Sequence, residues 1–241
     1  MAITKVTNSV VGSGSATDGY VLTADGSGNS AWEAAAGGAS SINDLTDAKT
    51  FGIGSIMLGD TTTGTLSNAN YNVGVGVDML NSLTSGYANI AIGFESCKDL
   101  TTGHNNVAVG HATLYENIGG EQNVAIGANA LQNNTSGNYN TAVGKSALKV
   151  NSTGADNVAV GKNALDALTT GYQNVAIGVN AATASTGTVY SNTVVGANAA
   201  TAMTSGVQNT SIGAGASQLG TSASQTTSVG AGANLRLSTG N

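Results

Sequence analysis

The chain lacks proline, has a single cysteine and contains few charged or aromatic residues. The lone cysteine, Cys97, excludes an internal disulfide. Charged residues make up only 8% of the 241 positions. Disordered chains are richer in charge and proline, so this composition argues against disorder. No run of about 18 consecutive apolar residues occurs, and we therefore expect no membrane insertion.

Basic residues are also scarce. Lysine and arginine together number 7, and the formal net charge is −6. Nucleic acids and anionic membranes bind clustered basic side chains, so we expect no nucleic-acid partner. The first residues lack the apolar run of a secretory signal, which predicts synthesis in a cytoplasm.

The apolar residues that are present are small. They make up 40% of the chain and are mostly alanine and valine, while aromatic residues reach only 4%. Burial contributes about 25 cal/mol per Å² of apolar surface, so a core of such side chains gains little per residue. We therefore expect several chains to share a core.

A five-residue motif recurs eleven times, as in Asn-Val-Ala-Val-Gly at 157–161. Successive copies are 17 residues apart, except for one step of 18. The closing glycines are Gly59, Gly76, Gly93, Gly110, Gly127, Gly144, Gly161, Gly178, Gly196, Gly213 and Gly230. A fixed period of this length is typical of a solenoid. We predict an all-β fold, a parallel β-roll of about eleven 17-residue coils over residues 55–233.

Each coil contains two glycine-marked corners, which favours a flattened roll with two short segments. Val158 and Val160 flank Ala159, so the two valines share one face of a strand. A leucine follows four residues after the closing glycine, as in Leu165, and a second corner follows at Gly171. The repeated asparagines predict a side-chain ladder between stacked coils.

The small column in mid-strand avoids charge, which favours close contact with another backbone. We therefore predict that the valine, isoleucine and leucine columns form the roll core and that the small column forms an inter-chain interface. The predicted roll core is Val73, Val75, Ile90, Ile92, Val107, Val109, Val124, Ile126, Val158, Val160, Val175, Ile177, Leu131, Leu148 and Leu165. The predicted interface is Gly74, Ala91, Ala108, Ala125, Ala142, Ala159 and Ala176. Candidate receptor contacts at the corners are Tyr87, Tyr139, Tyr172 and Tyr190.

These repeats, together with Ala130, Ala147, Ala164 and Ala181, resemble the head of YadA-type trimeric adhesins. The resemblance extends over residues 55 to about 233. It implies a left-handed roll and a homotrimer. The 17-residue period is longer than in the type adhesin, which predicts longer corner loops.

Residues 1–54 do not carry the repeat. They predict a β-hairpin from Tyr20–Asp25 and Ser30–Glu33, anchored by Trp32, and one helical turn over 41–47. The motif at 18–26, Trp32 and the segment 42–47 resemble a module of bacteriophage tail-fibre proteins. The resemblance implies that residues 1–54 attach to other tail or baseplate proteins. Residues 234–241 are expected to cap the last coil, unless another protein covers it.

Two carboxylate pairs occupy matched positions of adjacent coils: Asp78 with Glu95, and Asp99 with Glu116. Stacking would place each pair near the separation of about 5 Å found in retaining glycosidases. No cluster of aromatic or basic residues surrounds them to bind a sugar, so we interpret them as a solvated edge. The two histidines have no second ligand at metal spacing. We expect no catalytic residue, no cofactor and no metal, and hence no enzyme.

The sequence therefore predicts a structural phage virion protein, a tail fibre or fibre segment that forms a rigid trimeric rod for host attachment. A host surface receptor is an expected partner. The main alternative is the head of a bacterial trimeric surface adhesin. An ice-binding solenoid is a further alternative, but it needs a flat Thr-x-Thr face, and the threonines here lie mostly at corners.

Overall fold

A computed structural model describes residues 20–24, 30–34, 48–51, 54–59, 66–187, 189–218, 221–222 and 224–233. This described part of the chain is all-β and contains no helix. The strands are β1 Tyr20–Ala24, β2 Ser30–Ala34, β3 Ala48–Phe51, β4 Ser55–Gly59, β5 Val73–Gly76, β6 Ile90–Ile92, β7 Val107–Val109, β8 Val124–Ile126, β9 Thr141–Val143, β10 Val158–Val160, β11 Val175–Ile177, β12 Val189–Tyr190, β13 Thr193–Val195, β14 Gly206–Val207, β15 Thr210–Ile212 and β16 Thr227–Val229.

The chain divides into two compact units, Met1–Lys49 and Thr50–Asn241. In the first unit, β1 and β2 pair antiparallel as the predicted hairpin, with Leu22 opposite Trp32. The side chain of Trp32, the helical turn predicted over 41–47 and the cap predicted over 234–241 lie outside the described residues.

The second unit is a parallel β-solenoid of about ten turns, which confirms the prediction of an all-β fold with stacked parallel strands. Each repeat contributes a short strand, and strands of successive coils pair in register, so that Ala159 lies beside Ala142 and Ala176. The register continues across the 18-residue step, where Ala176 lies beside Val194. A single sheet therefore runs through all the repeats in the order of the sequence.

Left-handed backbone turns close each coil. In the coil of Gly161, the positive φ values are 136° at that glycine, 58° at Asn163 and 50° at Leu165. Glycine adopts such angles readily, whereas leucine does so at a cost of about 1 kcal/mol or more. At Gly144, with φ at 132°, an added methyl would lie 2.7 Å from the carbonyl carbon of Gly161 in the next coil. The closing glycine is thus required both by its backbone angle and by the close stacking of coils.

A ladder of buried asparagines connects the coils through the interior. Asn157 donates from its backbone N–H and from Nδ2 to Oδ1 of Asn140, at 3.1 Å in both cases. The same Nδ2 also donates to the carbonyl of Gly171, the second corner of its own coil, at 2.7 Å. The ladder consists of Asn72, Asn89, Asn106, Asn123, Asn140, Asn157, Asn174, Asn192 and Asn209. Ser55 is hydrogen-bonded to the first asparagine of the ladder, and Thr226 is hydrogen-bonded to the last.

The structure reverses the assignment of the two faces of the strands. The small column lies inside the roll: Gly74 is buried, and Ala91, Ala108, Ala125, Ala142, Ala159 and Ala176 are each 0% exposed and belong to the hydrophobic core. An added methyl on Gly74 would lie 3.2 to 3.4 Å from side-chain atoms of Met57 and Met79. The predicted inter-chain interface is therefore the interior of each roll.

The valine and isoleucine columns predicted as core lie on the outer face. Their half-exposed members are Val73, Val107, Val109, Val124, Val158, Val160 and Val175, and the exposed ones are Val75, Ile90, Ile92, Ile126 and Ile177. Alternate residues of a strand point to opposite faces, so placing alanine inside forces its neighbours outside. The leucine column, including Leu131, Leu148 and Leu165, fills the opposite wall of the core. Most mid-strand positions hold small side chains facing these leucines, and Met57 and Val194 are the larger buried exceptions.

We predict that Asn140→Ala lowers the midpoint of urea-induced unfolding, because it removes the side-chain acceptor of Asn157 and the side-chain donor to Gly154. Each buried polar group left without a partner costs about 1 to 3 kcal/mol. Asn133→Ala, at a half-buried asparagine outside the ladder, is the matched control and should change the midpoint little. Equal midpoints for the two variants would contradict a stabilising role of the ladder.

A pair of adjacent substitutions tests the reversed faces. Ala142→Leu should destabilise each chain by about 1 to 3 kcal/mol, since it overfills the core. Val143→Leu, on the half-exposed outer face, should change the free energy of unfolding by about 0.5 kcal/mol or less. Thermal unfolding followed by circular dichroism measures both. A variant Ala142→Leu that keeps the parent's stability would contradict the inward direction of this side chain.

Candidate functional site

The outer face of the sheet is a largely apolar surface with four threonines in its first column, which we call the valine–isoleucine face. Its first column is Ile56, Val73, Ile90, Val107, Val124, Thr141, Val158, Val175, Thr193, Thr210 and Thr227. Its second column is Leu58, Val75, Ile92, Val109, Ile126, Val143, Val160, Ile177, Val195, Ile212 and Val229. Neither column contains a charged residue.

The side chains of this face are substantially exposed to solvent for valine and isoleucine, which are usually buried. Ile92, Ile126 and Ile177 are 39%, 41% and 40% exposed. With about 4.8 Å between strands and about 7 Å between alternate side chains, the face is about 50 Å long and about 10 Å wide. An apolar patch of roughly 500 Å² is at the upper end of what monomeric proteins expose and is typical of an interaction surface.

The predicted receptor tyrosines lie at corners but do not form one site. Tyr87 stacks on His104 of the next coil, with ring centroids 4.6 Å apart. Tyr172 stacks on Tyr190, with centroids 5.0 Å apart and planes within 1° of parallel. Tyr139 lies apart from both pairs, and its hydroxyl accepts a hydrogen bond from Gln122. The four predicted tyrosines therefore belong to two separate stacked pairs and one single exposed position.

Sequence reasoning missed the stacking partner His104, because it treated each corner residue singly. Its Nε2 lies 3.1 Å from Oε2 of Glu121, so that Tyr87, His104 and Glu121 form one column across three coils. Their spacing of 17 residues was a usable signal, since residues one period apart stack in a solenoid.

The 18-residue step forms a second local feature. Within this step, Val189–Tyr190 pairs in parallel with Gly206–Val207 as a separate two-stranded sheet. A further bridge joins Tyr172 to Tyr190. The tyrosine pair thus lies against an open cavity of about 320 Å³ whose walls also include Thr170 and Thr186.

The carboxylate pairs differ in their surroundings. Lys98 Nζ lies 2.8 Å from Glu95 Oε1 and 4.0 Å from Asp78 Oδ2, so one cation lies between both members of the first pair. The hydrogen bond to Glu95 raises the pKa of Lys98. Asp99 and Glu116 line an open cavity of about 480 Å³ together with threonine and isoleucine side chains. Among the described residues, no group of three histidine, cysteine or carboxylate side chains is placed to hold a metal.

Cys97 occupies the leucine column and is fully buried. Burial raises the pKa of its thiol to about 12, so the nucleophilic thiolate is scarce at neutral pH. The residue acts as a small apolar side chain in the core.

The described segments contain no helix with the length and apolar character needed to span a membrane. No protein-family model, no curated protein and no solved structure matches this chain.

Proposed function

We propose that the protein is a structural component of a phage virion, a tail fibre or fibre segment whose left-handed rolls assemble as a homotrimeric rod for host attachment. The observation that carries the proposal is the valine–isoleucine face, an uncharged apolar strip on a regular solenoid. In this arrangement the strip is the surface that chains share, and the alanine column stays within each chain.

The partners that best fit this face are a second and a third copy of the chain. The strip repeats at the spacing of the coils, and another copy presents side chains at that same spacing. About 500 Å² per chain approaches the contribution of one partner to a standard interface, about 800 Å². Closure around a three-fold axis lets identical faces meet, and the resemblance to trimeric adhesin heads favours three copies.

Assignment to a virion rests on the first unit. The hairpin of β1 and β2 carries the motif that resembles a tail-fibre module, and residues 1–54 would dock to other tail or baseplate proteins. The alternative, a bacterial trimeric surface adhesin head, shares the repeats but does not account for this hairpin motif.

The hydrogen bonding of the corner threonines favours a structural rod over an ice-binding surface. Thr84, Thr101 and Thr135 each donate from Oγ1 to a backbone carbonyl of the next coil, at 2.9 to 3.0 Å. Hydroxyls used in this way stabilise the stacking of coils and are less available to order water at a flat face. We expect no enzymatic activity and no cofactor.

We predict that Ile126→Lys converts the oligomer into monomers, because three lysine charges would be buried where the chains meet. Native mass spectrometry of the purified full chain measures the state. Ser136→Lys adds the same charge at an exposed corner of the same coil and should leave a trimer. Unchanged circular dichroism is required of both variants.

A monomeric parent chain, or an Ile126→Lys variant that stays trimeric, would contradict assembly through this face. The virion assignment is tested separately by electron microscopy of intact particles labelled with an antibody to the chain. Particles without label at their tails would contradict it.

A further inference from the structure

The one irregular coil places two tyrosines on a locally reinforced corner. At the second corner most coils have a glycine, such as Gly154 or Gly171, but this coil has Val189. The ladder accommodates the change, since Asn174 Nδ2 donates to the carbonyl of Val189 at 3.1 Å. Val189 and Tyr190, which stand where other coils turn, form strand β12 and pair with β14. This places Tyr190 in register with Tyr172.

The cavity beside this pair has a definite chemical character. Tyr172 and Tyr190 form part of its wall, Thr170 and Thr186 provide hydroxyls, and the exposed lining is more polar than apolar. Among the described residues, no charged side chain lines the cavity. Its volume of about 320 Å³ is at the small end of ligand sites, which suits a single ring-sized ligand.

Apolar rings beside neutral hydrogen-bonding groups match a ligand with apolar C–H faces and hydroxyls at its edge. A neutral pyranose has this pattern, because its ring hydrogens pack on aromatic faces and its hydroxyls bond to threonines and peptide groups. A charged sugar would find no countercharge in the cavity and would lose hydration on entry.

Other clusters in the described chain fit a neutral sugar less well. The Tyr87–His104 pair has the carboxylate of Glu121 beside it. The cavity of Asp99 and Glu116 has two carboxylates and no aromatic wall. The Tyr172–Tyr190 corner joins a stacked aromatic pair, an open cavity and neutral polar walls.

We propose that the cavity beside Tyr172 and Tyr190 binds a neutral pyranose residue of a surface polysaccharide or glycoconjugate. The inference deepens the proposed attachment function and rests on it for its biological purpose. A single open site of this size binds one sugar with a Kd on the order of 1 mM. Three sites on one rod can raise the apparent affinity for a polysaccharide by a factor of about 100 or more when the spacing permits simultaneous binding.

Saturation-transfer NMR on the full chain tests the proposal, with the methyl glycosides of glucose, galactose and N-acetylglucosamine as probes and that of glucuronate as the charged comparison. We expect at least one neutral glycoside to bind and glucuronate to bind more weakly. Tyr172→Ala should weaken binding about tenfold. This variant should fold, because Ala155 stands at the same position one coil earlier.

Tyr87→Ala is the matched control, since Tyr87 occupies the equivalent position after Gly86 and also stacks on the next coil. It should leave binding unchanged. Failure of all three neutral glycosides to bind, preference for glucuronate, or equal loss in both variants would overturn the proposal. Native mass spectrometry of the same sample separates the two claims: a trimer that binds no sugar overturns only the site, and a sugar-binding monomer overturns only the assembly.

Discussion

The buried asparagine ladder is the interaction on which the rest of the fold depends. Each amide oxygen accepts two hydrogen bonds from the next coil, and each amide nitrogen connects that ladder to the second corner of its own coil. These groups lie in an apolar interior, where an amide without partners costs several kcal/mol. A slip of one residue in any coil would leave amides unpaired and would also turn each strand over. The ladder therefore fixes the register in which every other column stacks.

Once the register is fixed, the width of the roll determines which side chains face inward. Most mid-strand positions hold alanine, glycine or serine against the leucine wall, and the larger exceptions are Val194 and Met57, beside which Gly74 leaves space. The bulkier β-branched residues are consequently displaced to the outside. This is the reverse of the usual placement in a globular sheet, and it leaves each chain with a modest core and a large apolar exterior. A solenoid of this kind would gain stability if outer faces were shared, because burial contributes about 25 cal/mol per Å² of apolar surface.

Much of this fold could be predicted from the period alone, including the parallel strands, the in-register stacking and the asparagine ladder. Which face of the strands points inward could not be predicted, because a Val-Ala-Val strand can bury either its alanine or its valines. The choice depends on the distance from the strand to Leu165 across the roll. The left-handed backbone of that leucine, with φ at 50°, opposes its intrinsic preference and is imposed by the neighbouring turns. Of the candidate site, the tyrosines were identified from sequence, but their pairing was not. This pairing depends on the formation of a strand by Val189–Tyr190, and an insertion in the sequence does not predict such a strand.

The same architecture explains how a regular solenoid can acquire local chemistry. In a solenoid each coil contacts mainly its neighbours, so a change at a corner is absorbed within one or two coils. The ladder continues through the 18-residue step, because Asn192 is hydrogen-bonded to Asn174 in the same way that each other ladder asparagine is bonded to the asparagine of the preceding coil. Corner residues thus vary over a constant interior: the column of Tyr172 holds alanine one coil before it and tyrosine one coil after. Because the hydrogen-bonded ladder fixes the interior, the corner residues can differ from coil to coil. A stacked aromatic pair arises wherever two successive corners carry aromatic rings.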